Sequence, residues 1–240
     1  MTVGAHRERK SLATSMDIHR LAGREGLEST RGCVIVIDVF RAFTVSAYAL
    51  GGGARECLLV ADLSEALRLQ GEIPRSVVSA EVDGRPVAGV PICNSPSAIV
   101  ETDFRDRTLI QRTTHGTRFV AAARLADFVF ASSLVVAAAT AKYVRESRPE
   151  TVTLVACGAP DGHVEDEVCA DYIHKILLNQ PADPMEPVRA ILTSDHYRRL
   201  SSGTVEGFPS SDLELALAVD RYDFPMPVVR EPGLLRIPAP

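Results

Sequence analysis

Five apolar residues in a row, Cys33 to Ile37, close on an aspartate, Asp38. An uninterrupted run of this kind predicts a parallel strand buried on both faces. Asp38 then stands at the strand's carboxyl end, where open α/β sheets bind ligands. Arg41 follows at the start of an Ala-rich helical segment. A carboxylate and a guanidinium at one strand tip point to chemistry on a charged small molecule.

The pattern repeats along the chain. Strands are expected at 33–38, 56–61, 76–80, 107–112, 127–131 and 151–156. Helices are expected at 41–51, from Asp62 to about Gln70, near 96–100, after Thr117, at 134–146 and from about Glu165 to Leu178. Gly51-Gly52-Gly53 is a helix-stop signal, and Asn94-Ser95-Pro96 reads as a cap and first turn. Further helical stretches near 188–200 and 211–219 precede an extended Pro-rich tail. Alternating strands and helices imply right-handed crossovers. The fold class is therefore α/β: three layers, with a largely parallel or mixed central sheet and helices on both faces. Residues 1–30 read as an N-terminal arm with a short strand near Ile18, and 31–240 as a single domain.

Net charge is −5, with no basic block and no Trp among 240 residues. That argues against a nucleic-acid groove. No apolar segment suggests a signal peptide or membrane span. Five cysteines without CxxC or zinc spacing fit a reducing cytoplasm. A homodimer is expected because two-fold assemblies are the commonest; the apolar helices 134–142 and 213–219 are free to serve either the core or a second copy.

Four strand-to-loop transitions carry polar groups. Asp38 is either a helix cap or a metal-binding or nucleophilic carboxylate, with Arg41 holding an anion. Glu81 fits a Mg²⁺ ligand or general base as well as an ordinary loop acid. Thr113-Thr114-His115-Gly116-Thr117 offers hydroxyls and backbone N–H groups at a helix start, an anion cradle or simply a capped helix. His115 is placed to contact phosphate or protonate a leaving oxygen. In Gly158–Asp166, Glu165 and Asp166 open a helix, where dipole stabilisation and metal binding explain them equally well. The chain has no GxxxxGK[ST] loop, no GxSxG elbow and no HExxH. The doubly acidic phosphatase nucleophile motif and a cysteine-phosphatase spacing are also missing.

Taken in order, VIDVFRA (36–42), AEVDG (80–84), CNSPSAI (93–99), TTHGT (113–117), ASS (131–133) and GHVEDEVCADYI (162–173) resemble the 2-phosphosulfolactate phosphatase family. The resemblance implies a Mg²⁺-dependent phosphatase of coenzyme M biosynthesis with a small anionic phosphorylated substrate. By position it implicates Asp38, Glu81 and Asp166 at the metal. It implicates Arg41, Asn94, Ser95, Thr114, Gly116 and Thr117 at the substrate, and Asp38, Arg41 and Glu165 in catalysis, where the chemistry of its imidazole adds His115. The chain departs from the family pattern at Phe43, where Thr is usual, at Val82, where Arg is usual, and at His115, where Asn is usual. These changes motivate two rival expectations: a phosphorylated hydroxy-carboxylic acid as substrate, or an inactive small-anion binder on the same scaffold.

Overall fold

The Cys33–Ile37 run is a strand with all five residues buried. Val34 and Val36 face one apolar core; Cys33, Ile35 and Ile37 face another. The computed structural model describes residues 16–158 and 163–240. In chain order its elements begin with β1 (Asp17–Ala22), β2 (Cys33–Ile37), α1 (Ala42–Gly51), β3 (Glu56–Val60), α2 (Leu63–Glu72), β4 (Ser76–Val82) and β5 (Arg85–Pro86). Then come α3 (Pro96–Val100), β6 (Thr108–Arg112), α4 (Gly116–Ala122), β7 (Phe128–Ser132), α5 (Ala137–Ser147), β8 (Thr151–Ala156) and α6 (Val164–Leu177). The chain ends with α7 (Met185–Leu192), α8 (Asp195–Ser201), α9 (Ser211–Ala216), β9 (Met226–Pro227), β10 (Val229–Glu231) and β11 (Leu234–Pro238).

The expected α/β class forms, with mixed, largely parallel pairing and helices on both sides of the β2 sheet. Its strands are divided between two sheets. The first has the order β1-β8-β2-β7-β9, parallel except for β9 at the edge. The second runs β10-β11-β3-β6-β4-β5, with β3, β6 and β4 parallel and the outer strands antiparallel. An alternating strand–helix pattern says that strands are parallel but not which strands pair, so the division is invisible in it.

The layers follow from the buried faces. Helices α5, α6 and α7 cover one side of the first sheet, packed on Ile35, Ile37 and Leu154. Helices α1 and α4 lie between the sheets, packed against Val34 and Val36 on one side and Cys57, Leu59 and Leu109 on the other. Every residue of α1 from Ala42 to Leu50 is buried, as a helix apolar all round requires. Helix α2 covers the outer face of the second sheet with Ala66 and Leu69.

The Pro-rich tail is extended, as expected, and its short strands join both sheets: β9 pairs with β7 and β11 with β3. Within the segment read as an arm, β1 pairs with β8 along its whole length. Residues 1–15 lie outside the described residues. Leu134–Ala138, Ala141, Leu213 and Ala216 are buried within the chain, so the apolar helices that suggested a second copy are used in the core. Among the described residues, no helix is long and apolar enough to cross a membrane.

Phe43, one of the three departures from the family pattern, is fully buried between α1 and α4. A Cβ built on Gly116 would stand 3.2 Å from its ring, so the aromatic fills space and does not face ligand. Phe43→Ala is expected to cost about 3–5 kcal/mol, read as a lower midpoint in urea. A loss below about 1 kcal/mol would show that the ring is not a core element.

Candidate active site

The carboxyl ends of strands from both sheets meet at one cleft of about 550 Å³. Asp38 follows β2, Glu81 lies near the end of β4, and Thr113 follows β6. All three line the cleft together with Arg41, Asn94 and His115. Of the sequence-predicted residues, Asp38, Arg41, Glu81, Asn94 and His115 are thus brought to one rim, although the sheets that carry them differ.

Asp38 is both a cap and a cleft residue. Its Oδ1 accepts the Ala42 N–H at 2.9 Å, closing the first turn of α1. On the other side, Gly116 comes so near that a Cβ there would stand 2.9 Å from Asp38 Oδ2. Burial, aided by the charges of Glu81 and Glu165 and opposed by the Ala42 N–H and His115, raises the Asp38 carboxyl to about 6. Asp166 sits behind it. Its Oδ1 accepts the Val39 N–H at 2.7 Å and its Oδ2 the Gly158 N–H at 2.9 Å. Burial, then the charges of Asp38 and Glu165, hold its carboxyl well above the usual range. Asp166 therefore ties strand ends beneath the cleft and does not line it.

Arg41 is a buried residue, not a surface one. Its Nη1 donates to Asp212 Oδ2 at 2.6 Å and to the Gly207 carbonyl at 2.8 Å. Its guanidinium lies 4.2 Å from the Phe208 ring centre. Asp212, fully buried, also accepts from Ser95 Oγ at 2.8 Å and the Ser97 N–H at 3.0 Å. Ser95 caps α3, as its Oγ accepts the Ala98 N–H, and it reaches the cleft only through Asp212 and Arg41. Asn94 accepts from Gln111 Nε2 at 3.1 Å and contributes to the cleft wall.

The expected anion cradle is largely closed on itself. Thr114 donates its N–H to Glu81 Oε1 and its hydroxyl to Glu81 Oε2. Thr117 donates its N–H to Thr113 Oγ1 at 3.1 Å and its hydroxyl to the Thr113 carbonyl at 3.0 Å. The loop supplies its own acceptors, so Thr114 and Thr117 do not line the cleft; Gly116 serves it by close approach to Asp38. His115 is exposed on the cleft wall. Glu81 also accepts the Gly84 N–H at 2.7 Å, which shapes the β4–β5 turn.

Glu165 turns away from Asp166 toward two histidines. Its Oε2 lies 3.0 Å from His196 Nδ1 and its Oε1 3.8 Å from His163 Nδ1. The two rings stack with centres 4.3 Å apart. Among the described residues these three form the one cluster of His, Cys, Asp and Glu with ligand atoms close enough to share a metal. Sequence reasoning quoted His163 only within its motif and missed His196, which follows the capping pair Ser194-Asp195. Residues 159–162 of the Gly158–Asp166 segment lie outside the described residues. Asp38 and Glu81 present oxygen donors to the cleft, and the Glu81 charge raises the cost of ionising Asp38, which fits a hard dication. Arg85 and Arg199 also line the cleft, and among the described residues neither forms an ion pair.

Buried acids and arginines gathered at the carboxyl ends of parallel strands mark this cleft as the candidate active site of an α/β protein. The family model described as 2-phosphosulpholactate phosphatase matches residues 21–231. The chain belongs to that family. It is 37% identical over 144 residues to a probable 2-phosphosulfolactate phosphatase of Bacillus subtilis, covering 60% of this chain and 63% of the relative. A protein of the same description from Thermosynechococcus vestitus is 34% identical over 64% of each chain. One from Caldanaerobacter subterraneus is 27% identical over 79% of this chain and 85% of its own. The alignments to the first two span just under two thirds of those relatives' length.

The raised Asp38 carboxyl sets a pH dependence. Between about pH 4 and 6 the folded chain keeps a proton that the unfolded chain releases, so stability falls as pH rises through that window. Above it, the burial cost is of order 2–3 kcal/mol. In chelated buffer, Asp38→Asn should therefore melt above wild type at neutral pH, with the gap closing toward pH 4. A gap of equal size at both ends of a melting series would refute the ionisation account.

Proposed function

We propose that the protein is a Mg²⁺-dependent phosphomonoester hydrolase, acting on 2-phospho-3-sulfolactate or a related phosphorylated hydroxy acid. The observation that carries this reading is the convergence of Asp38, Arg41 and Glu81 in one cleft, with Glu165 near enough to act on the charge of Asp38. Membership of the family supports the same reaction class.

Asp38 and Glu81 would hold the ion, which when bound supplies Lewis-acid charge at the phosphoryl group. Arg41, fixed from behind by Asp212, grips phosphoryl oxygens and stabilises the charge that grows on them. A cleft water, or Asp38 itself, attacks phosphorus. His115 on the wall, or Glu165 with its histidine partners, returns a proton to the departing alkoxide. Arg85 and Arg199 face a second anionic group on the substrate. A reducing cytoplasm, where five free cysteines are at home, and a two-fold dimer complete the proposal.

The test is phosphate release from phosphosulfolactate, a phosphorylated hydroxy-carboxylic acid and a simple phosphomonoester, with and without Mg²⁺. Turnover should require Mg²⁺, and Asp38→Asn and Arg41→Lys should each lower kcat by about 10²–10³. Arg85→Ala should raise KM only for substrates with the second anion. Wild-type turnover in Asp38→Asn would sink the mechanism. No hydrolysis, with phosphate still raising the melting temperature, would favour the inert binder, whose motive is the altered Val82 and His115.

A further inference from the structure

We propose that His163, Glu165 and His196 bind a late first-row transition dication, giving the cleft a second cation site chemically distinct from the oxygen donors Asp38 and Glu81.

The donor set comes first. Two imidazoles and one carboxylate are a ligand set of catalytic zinc sites, which leave a further position open. Mg²⁺ takes oxygen ligands and gains little from imidazole. Nitrogen donors in this number favour ions such as Co²⁺, Ni²⁺ and Zn²⁺.

Geometry agrees. Ligand atoms about 2.0–2.1 Å from a tetrahedral ion stand roughly 3.3 Å from one another. The two carboxylate oxygens of Glu165 stand at such spacings, Oε2 3.0 Å from His196 Nδ1 and Oε1 3.8 Å from His163 Nδ1, and one ligand atom from each residue lies within 4.8 Å of the others. Both rings present Nδ1 to the same carboxylate, and rotation of the stacked rings would turn both lone pairs onto one ion.

Burial supplies the need for charge. The Glu165 side chain is 1% exposed, and among the described residues no lysine or arginine pairs with it. A buried carboxylate requires a cationic or hydrogen-bonding partner, and the groups facing it are the two histidines. One of these is largely buried and the other, His163, is 29% exposed toward the cleft. The ligands come from the start of α6 and from α8, two elements held together through α7. An ion there has protein on one side and the cleft on the other.

The competing account is a metal-free ion pair between Glu165 and a protonated His196, and one experiment separates the two. The full chain, stripped with a chelator, is titrated with Co²⁺ in millimolar Mg²⁺ while the visible d–d absorption is followed. The expected result is one equivalent bound with the strong absorption of a low-coordinate nitrogen site, displaced by Zn²⁺ and not by Mg²⁺. His196→Ala should weaken binding by at least about tenfold, while His115→Ala, a cleft histidine outside the cluster, leaves it intact. Circular dichroism checks that each variant is folded, and the wild-type spectrum stands without them. No absorption in Mg²⁺, displacement by Mg²⁺, or equal binding by folded His196→Ala would overturn the proposal. Phosphate release in Mg²⁺ alone is scored separately, so either reading can fail while the other holds.

Discussion

The carboxylate of Asp166 is the contact on which the cleft depends. Strands β2 and β8 are neighbours, with Ile37 opposite Ala156 at their last paired position. The sheet still holds the next N–H groups, Asp38 on the Ser132 carbonyl and Cys157 on the Ile37 carbonyl, but those of Val39 and Gly158 lie past the ladder, and a buried N–H without a partner is costly. Asp166 takes both: one oxygen for Val39, the other for Gly158. The chain can then leave the sheet after Asp38 and enter α1 within a few residues. The same carboxylate feels the charge of Asp38, which together with burial holds the Asp166 carboxyl up, so the clasp that builds the strand end is also part of the electrostatics of the site. Structure and chemistry share one residue here, and neither role can be removed without the other.

Long-range pairing completes what local structure begins. Arg41 leaves its strand tip early in the chain and meets Asp212 near its end, a pair in which both groups are buried. Burying two charges is costly unless the geometry is good and the remaining lone pairs are satisfied. Asp212 meets that condition through Ser95 and Ser97, on a third segment. The position of Arg41 is therefore the product of three separate stretches of chain. Ser95 belongs to the site as a support for the support.

Much of this was legible in residue order. The apolar run at Cys33 specified a doubly covered strand, and the rule that ligands gather at carboxyl ends placed Asp38, Glu81 and His115 on one rim. What was not legible has a common physical cause: one residue type serves both capping and chemistry. Thr114 and Thr117 look like anion donors, yet the Glu81 carboxylate and the Thr113 hydroxyl claim their hydrogens. Asp212 and His196 sit at the starts of short helices, where a polar residue needs no further explanation. Their partners lie far off in sequence, and no local pattern encodes which distant group will arrive. The division into two sheets was hidden for the same reason, since each strand reads alike whichever neighbour it takes.

The departures from the family pattern gain meaning once they have places. Phe43 is a packing residue and touches no cleft surface. Val82 is exposed at the end of β4, so the arginine usual there is missing from the rim. Across the tight β4–β5 turn, however, the residue directly opposite Val82 is Arg85, and Arg85 lines the cleft. Directly opposed side chains in an antiparallel pair start about 5 Å apart. A long guanidinium can cover that offset, so a cation lost from one strand is present on the other at nearly the same place. Anion recognition depends on where the charge stands, not on which strand carries it. Under the proposed function, what changes is the angle at which that charge meets the substrate's second anionic group.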